Sequence, residues 1–145
     1  MGLDMYALTT DEKPQPPVDF SGPDDASQLH YWRKHPNLHG WMERLYREKG
    51  GKEDTFNCVS VALSADDIHQ LEIDIEAGNL PPTSGFFFGA SDGTESDDDL
   101  AFVAKLVRRS RKARRCSTRR GGSAPAQESP LRNERAFCLP LSLAA

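Results

Sequence analysis

The chain has little of what marks a secreted, metal-binding or membrane protein. Its three cysteines, Cys58, Cys116 and Cys138, are odd in number and widely spaced, which fits neither a disulfide framework nor a CxxC metal site. No apolar run approaches the roughly 20 residues of a membrane span. The first residues show neither the basic nor the apolar part of a signal peptide. These absences predict a cytoplasmic protein without a cofactor.

The charge is divided unevenly between the two ends of the sequence. Residues 1–104 hold 7 Lys+Arg against 20 Asp+Glu, a net charge of −13, whereas residues 105–145 hold 11 against 2, a net charge of +9. The body is therefore acidic and the end basic. An arginine-rich end of this kind is typical of chains that bind nucleic acid or another anionic surface.

The apolar spacing predicts a small mixed domain. Residues 2–9 alternate in part and predict a strand, and the proline-rich residues 10–28 predict a loop. A helix is predicted from Pro36 to Gly50, because apolar residues recur there at helical spacing. The residues of that stripe are Leu38, Trp41, Met42, Leu45 and Tyr46.

Two further helices and a strand are predicted downstream. Residues 55–63 predict a strand with Cys58 among its apolar positions. Ser64 and Asp67 have the spacing of a capping box, which predicts a helix to about Ala77. A third helix is predicted from Ser96. The predicted inner positions of the two helices are Ile68, Leu71, Ile75, Leu100, Val103, Ala104 and Val107.

This order of elements predicts an α+β fold, with a small single-layer sheet packed against two or three helices. Residues 81–89 predict a loop or a short strand whose phenylalanines contribute to the core. The domain is expected to span 1–105, followed by a disordered basic tail over 106–145.

Several long motifs resemble a family of short bacterial and phage proteins of unestablished function, whose members are often named phosphoglycerate kinase. The resemblance covers roughly residues 1–105. The motifs are Met1-Gly2-Leu3-Asp4-Met5-Tyr6, His30-Tyr31-Trp32-Arg33-Lys34-His35-Pro36-Asn37-Leu38-His39, Phe56-Asn57-Cys58 and Thr83-Ser84-Gly85-Phe86-Phe87-Phe88-Gly89.

The resemblance implies a different end for the domain. Family members continue the third helix and close with a strand like Thr-Val-Phe-Tyr-Thr-Ser-Trp-Trp. Codons can be chosen for residues 115–123 such that triplets starting at the third base of each codon spell Val-Phe-Tyr-Thr-Ser-Trp-Trp and a stop. A base lost near the Lys105 codon would therefore leave the last strand missing, the tail out of frame and the domain poorly stable.

The segment before the first helix, which is rich in histidine and in basic residues, is the candidate binding site. Arg33 and Lys34 precede a helix N-terminus, where the dipole and the N–H groups favour an anion. Alternatively, Tyr31 and Trp32 pack on the core, and the basic residues offset the negative charge of the acidic body. The candidate anion ligands are His30, Trp32, Arg33, Lys34, His35, Asn37 and His39.

Other chemical sites are less favoured. His35 and His39 have helical metal-ligand spacing, but Pro36 disfavours helical conformation at His35, so no metal site is predicted. Acidic residues 97–99 suit the first turn of a helix better than Mg²⁺. Cys58 is expected to be a buried, inert thiol rather than a nucleophile.

Three functions follow from these patterns. The favoured one is a small accessory or binding protein, of phage or mobile-element type, that holds a small anionic ligand and no membrane. The alternative implied by the family name is a phosphotransfer enzyme using Arg33, Lys34, His35 and His39, although 145 residues leave no room for two closing lobes. The third is nucleic-acid binding through the arginine-rich tail.

Overall fold

The computed structural model describes residues 4–10, 14–21, 24, 26–85, 89–118 and 137–142, the backbone alone for 110–118 and 137–142. The fold is α+β, as predicted. Its strands are β1 (Asp4–Thr9), β2 (Ser27–Arg33), β3 (Val59–Leu63), β4 (Ser84–Gly85), β5 (Gly89–Ala90) and β6 (Phe137–Ser142). Its helices are α1 (Pro36–Glu48), α2 (Ala65–Glu76) and α3 (Ser96–Thr118).

Four strands form an antiparallel sheet in the order β2-β1-β6-β3, and β4 and β5 form a small hairpin. Alternate residues of β1 are buried, as expected for a strand with one covered face. All five residues of β3 are buried, and its outer edge is paired with residues 17–19. Apolar residues of the strands and of all three helices form one core cluster.

The predicted helix at Pro36 is confirmed as α1. Pro36 occupies its first turn, and the whole predicted apolar stripe is buried. The chain leaves the helix through Gly50, whose φ of 91° is accessible to glycine at little cost. The Gly51 amide donates to the Tyr46 carbonyl, and a Cβ at Gly51 would lie 2.2 Å from the Tyr46 ring.

The capping box at Ser64 is also confirmed, because Ser64 Oγ accepts from the Asp67 amide while the Asp67 carboxylate accepts from the Ser64 amide. The predicted inner face of α3 is partly wrong. Leu100 and Ala104 are exposed, and the buried positions are Asp99, Phe102, Val103 and Leu106. Helical spacing permits both faces, and the face carrying Phe102 packs against the core.

Two predictions before β3 need correction. The strand begins at Val59, since Cys58 has a φ of 53° and breaks the extended run. Cys58 is exposed, not buried. Residues 27–33, placed partly in the predicted loop, form the strand β2. Phe86, Phe87 and Phe88 lie outside the described residues, so their predicted place in the core stays a prediction.

Helix and strand both occur beyond residue 105. Helix α3 runs without a break from Ser96 to Thr118, with three aspartates in its first turn and bases towards its end, the distribution that the helix dipole favours. β6 lies between β1 and β3. β6 and the part of α3 after residue 105 lie within 106–145, and the predicted boundary at 105 stays a prediction.

Candidate functional site

The seven predicted ligand residues do not converge on one point. His30 and Trp32 lie on β2 and face α3, where both rings contact Phe102. His35 and His39 lie at the start of α1 and are buried. The structure therefore divides the predicted site into a buried histidine pair and a half-exposed β2–α3 junction.

His35 serves as the N-cap of α1 and as an anchor for α3. Its Nδ1 accepts from the Leu38 amide at 3.2 Å, and its Nε2 lies 2.7 Å from Asp99 Oδ1. An Nδ1 that accepts carries no proton, so Nε2 is the nitrogen that donates to Asp99. Both ring nitrogens are thus engaged, and the anion near this helix N-terminus is a carboxylate of the chain itself.

His39 lies one turn further along α1, inside the core. Its ring centroid is 5.0 Å from that of Phe56, and the residue is only 5% exposed. Burial lowers the pKa of His39, while the nearby Glu43 carboxylate raises it. The residue therefore contributes an uncharged ring to the core at neutral pH.

We expect His39 to make stability depend on pH. Its folded-state pKa lies below the ordinary value of 6.5. As the pH falls past 6.5, the unfolded chain therefore binds more protons than the folded chain, and the folded state loses stability. His39→Gln should reduce the difference in Tm between about pH 7.5 and about pH 5.5. His69→Gln, at a histidine whose side chain is 72% exposed, is the control and should leave that difference unchanged. Equal pH slopes in His39→Gln and wild type would contradict this.

The β2–α3 junction joins His30 to a lysine that the sequence patterns did not single out. Lys105 Nζ lies 3.0 Å from His30 Nδ1. Burial lowers the pKa of His30, and the Lys105 charge lowers it further, while Asp98 and Asp99 each raise it less strongly. A neutral His30 can accept one hydrogen bond from the ammonium, which keeps two donors for other partners.

Trp32 gives this junction an unsatisfied donor. The residue is 4% exposed, and its ring centroid lies 4.5 Å from that of His30 and 4.3 Å from that of Phe102. Its Nε1 is buried and has no hydrogen-bond partner among the residues that the structure describes. Buried donors of this kind ordinarily find a partner, because leaving one unmade costs about 1–3 kcal/mol.

The remaining predicted ligands point elsewhere. Arg33 and Lys34 are exposed at the end of β2, and Lys34 adopts a φ of 57° in the turn into α1. Asn37 Oδ1 accepts from the Thr83 amide at 3.0 Å and so ties α1 to the residue that precedes β4. The structure thus uses Asn37 as a structural residue.

A concave surface lies between α1 and α2, with a volume of about 380 Å³. Asp74 organises it, accepting from Trp41 Nε1 at 2.8 Å and from Gln70 Nε2 at 3.0 Å. Lys49 Nζ contacts Asp67 Oδ2 at 2.5 Å. The groove is lined by Trp41, Arg44, Leu45, Glu48, Asp67, Gln70 and Asp74. These polar contacts join side chains of the groove to one another or to Lys49 at the C-cap of α1, which indicates a packing role.

The chain matches no protein-family model, no curated protein and no solved structure. In the described part of the chain, no group of three or more His, Cys, Asp or Glu could hold a metal ion. No helix within the described ranges combines the length and the apolar character needed to cross a bilayer. The buried histidine pair and the β2–α3 junction are the candidate sites among the described residues.

Proposed function

We propose that the protein is a cytoplasmic, non-catalytic accessory protein that binds a small anion where β2 meets α3. The observation that carries the proposal is the contact between Lys105 Nζ and His30 Nδ1, together with the packing of the His30 ring on Trp32, whose buried N–H has no partner among the described residues. An anion with several oxygens could accept from the ammonium and from the indole together. A phage or mobile-element setting follows only from the resemblance and stays part of the proposal.

The residues with catalytic potential favour binding over turnover. A general base needs a ring nitrogen or carboxylate within reach of substrate. Both ring nitrogens of His35 are hydrogen-bonded, one to Leu38 and one to Asp99, and His39 is buried in the core. Phosphotransfer, the alternative carried by the family name, stays a prediction that a coupled nucleotide-turnover assay tests.

Phosphate binding is the direct test of the proposed site. Inorganic phosphate titrated into the chain should release or absorb heat and change the tryptophan emission. Lys105→Gln removes the charged donor and should weaken binding about tenfold or more, the equivalent of one charge-assisted hydrogen bond. Trp32→Phe keeps the ring, removes the N–H and should weaken binding by a smaller factor.

The matched control is Lys52→Gln, since Lys52 is an exposed lysine far along the sequence from this junction. It should bind phosphate as the wild type does. That result would show that binding depends on the lysine at the site and not on the total positive charge of the chain. Equal affinities of the Lys52 and Lys105 variants, or no phosphate binding by the folded wild type, would refute the proposal.

A second candidate function rests on the far half of α3. Between Lys105 and Thr118 the helix has no acidic residue, and its bases recur at helical spacing. They are Lys105, Arg108, Arg109, Arg111, Lys112, Arg114 and Arg115. Such a helix would bind nucleic-acid phosphates with an affinity that falls steeply with salt. Removing the four charges of residues 111–115 should then weaken DNA binding and lower its salt slope by about 4.

The origin of residues beyond about 106 decides whether this second candidate holds. We propose, on the resemblance alone, that a base was lost near the Lys105 codon. Reading the coding DNA across codons 105–123 tests this. An additional base there would remove the basic half of α3 from the native protein, whereas Lys105 and the β2–α3 junction would stay.

A further inference from the structure

The β2–α3 junction contains a group that titrates near neutral pH. His30 is half-buried on β2, opposite Ala7 of β1, and its Nδ1 lies 3.0 Å from Lys105 Nζ. An ammonium has only donors, so this contact requires an unprotonated Nδ1 that accepts. The contact therefore holds only while the His30 ring is neutral, since a protonated ring would face Lys105 with a donor and a like charge.

The charged groups that act on His30, among the described residues, all lie on α3. Burial lowers the pKa of His30 and the Lys105 ammonium lowers it further, whereas Asp98 and Asp99 raise it less strongly. Asp98 is exposed, and Asp99 is hydrogen-bonded to His35. Without a ligand the His30 ring is thus uncharged at neutral pH, and Lys105 is the cation of the junction.

An oxyanion bound to Lys105 reverses this balance. The exposed ammonium carries three donors on a flexible stem, so it can turn from the ring to the oxygens of a ligand. The ligand then offsets the Lys105 charge, and the released Nδ1 of His30 lies near a negative charge. A negative charge within about 4–6 Å favours the protonated form of a histidine. The ligand and the proton therefore strengthen each other's binding.

We infer that an oxyanion at the β2–α3 junction is bound together with a proton on His30. The inference rests on the proposed anion site and names the ligand class that this site prefers. A protonated His30 and Lys105 together present two positive charges and an additional N–H donor. This combination fits a dianion with several acceptor oxygens, such as sulfate or a phosphate monoester. Nitrate, an oxyanion with a single charge, should compete poorly.

Sulfate is the probe for this coupling, because it stays a dianion over the range in which a histidine titrates, whereas inorganic phosphate changes its charge there. Calorimetric titration should show sulfate binding about three- to tenfold tighter at about pH 5.5 than at about pH 7.5. Titrations at the lower pH in two buffers with different heats of ionisation give the number of protons taken up. We expect an uptake of about 0.5 proton per sulfate.

Two histidine variants locate the proton. His30→Gln keeps an amide oxygen that can accept from Lys105 but gains no proton, so its sulfate affinity should change by less than about twofold between the two pH values. His69→Gln alters a histidine whose side chain is 72% exposed and should behave as the wild type does. His39 is present in all three chains, so its own titration does not affect the comparison.

A measurement on the wild type decides the question even if His30→Gln does not fold. In imidazole NMR spectra, one histidine should titrate at a higher pH with sulfate than without it. No sulfate binding at either pH would refute the anion site and this inference with it. Sulfate binding that takes up no proton, or a pH dependence equal in His30→Gln and wild type, would overturn the inference and leave the anion site standing.

Discussion

Replacing Asp99 with alanine is expected to lower the free energy of unfolding by about 3 kcal/mol. Asp99 is 3% exposed and accepts the hydrogen bond from His35 Nε2 at 2.7 Å. Its removal leaves the buried His35 N–H without an acceptor and breaks the hydrogen bond between α3 and the start of α1. Chemical denaturation with urea measures the change, provided that the m value is unaltered.

Two neighbouring variants make this result specific. Asp97→Ala removes an exposed carboxylate from the same first turn and should cost only about 0.3–1 kcal/mol, the size of a helix-dipole interaction. Asp99→Asn keeps an acceptor oxygen for His35 and should recover more than half of the loss. If Asp99→Ala lost no more free energy of unfolding than Asp97→Ala, the buried His35–Asp99 hydrogen bond would not be what holds α3 in place.

The elements with local signals were predictable from sequence. Pro36 and the apolar stripe specify α1, and Ser64 with Asp67 specifies the start of α2. Both depend on interactions within one or two helical turns, so the sequence alone contains them. Cys58 shows the limit of such reasoning, because its left-handed backbone has no residue-type signal, and the predicted strand over 55–63 therefore starts only at Val59.

The site depends on contacts that local patterns do not encode. His35 meets Asp99 across 64 positions, and His30 meets Lys105 across 75. The motif around His30 indicated the two histidines. Their partners Asp99 and Lys105 lie on α3, and the sequence patterns did not identify them as partners. Only the packing of α3 against β2 and α1 reveals that His35 is bonded to a carboxylate and that His30 lies beside a cation.

These contacts also change the meaning of the predicted anion site. The N-terminus of α1 was expected to attract an external anion, and the structure supplies Asp99 through the cap residue His35. An external ligand is left with the β2–α3 junction, where Lys105 is exposed. The proposed phosphate site is thus displaced from the helix N-terminus towards α3, and its integrity depends on how α3 packs.

Phe102→Ala is expected to have the largest effect on stability, about 3–5 kcal/mol, because it opens a cavity under α3. The Phe102 side chain is fully buried and contacts the Trp32 and His30 rings edge-on and tilted, respectively. Such a loss is a large fraction of the total stability of an ordinary domain, about 5–15 kcal/mol. Urea denaturation and a red shift of the tryptophan emission report it.

The same variant tests whether packing and ligand binding are coupled. Phe102→Leu refills most of the cavity and should recover most of the stability, whereas phosphate affinity should stay reduced if the aromatic ring positions His30 and Trp32. Leu100→Ala is the matched control on the same helix; Leu100 is 48% exposed, and its loss should change stability by less than about 0.5 kcal/mol. Equal losses in Leu100→Ala and Phe102→Ala would mean that α3 does not pack through Phe102. The β2–α3 junction would then lose its structural basis as a binding site.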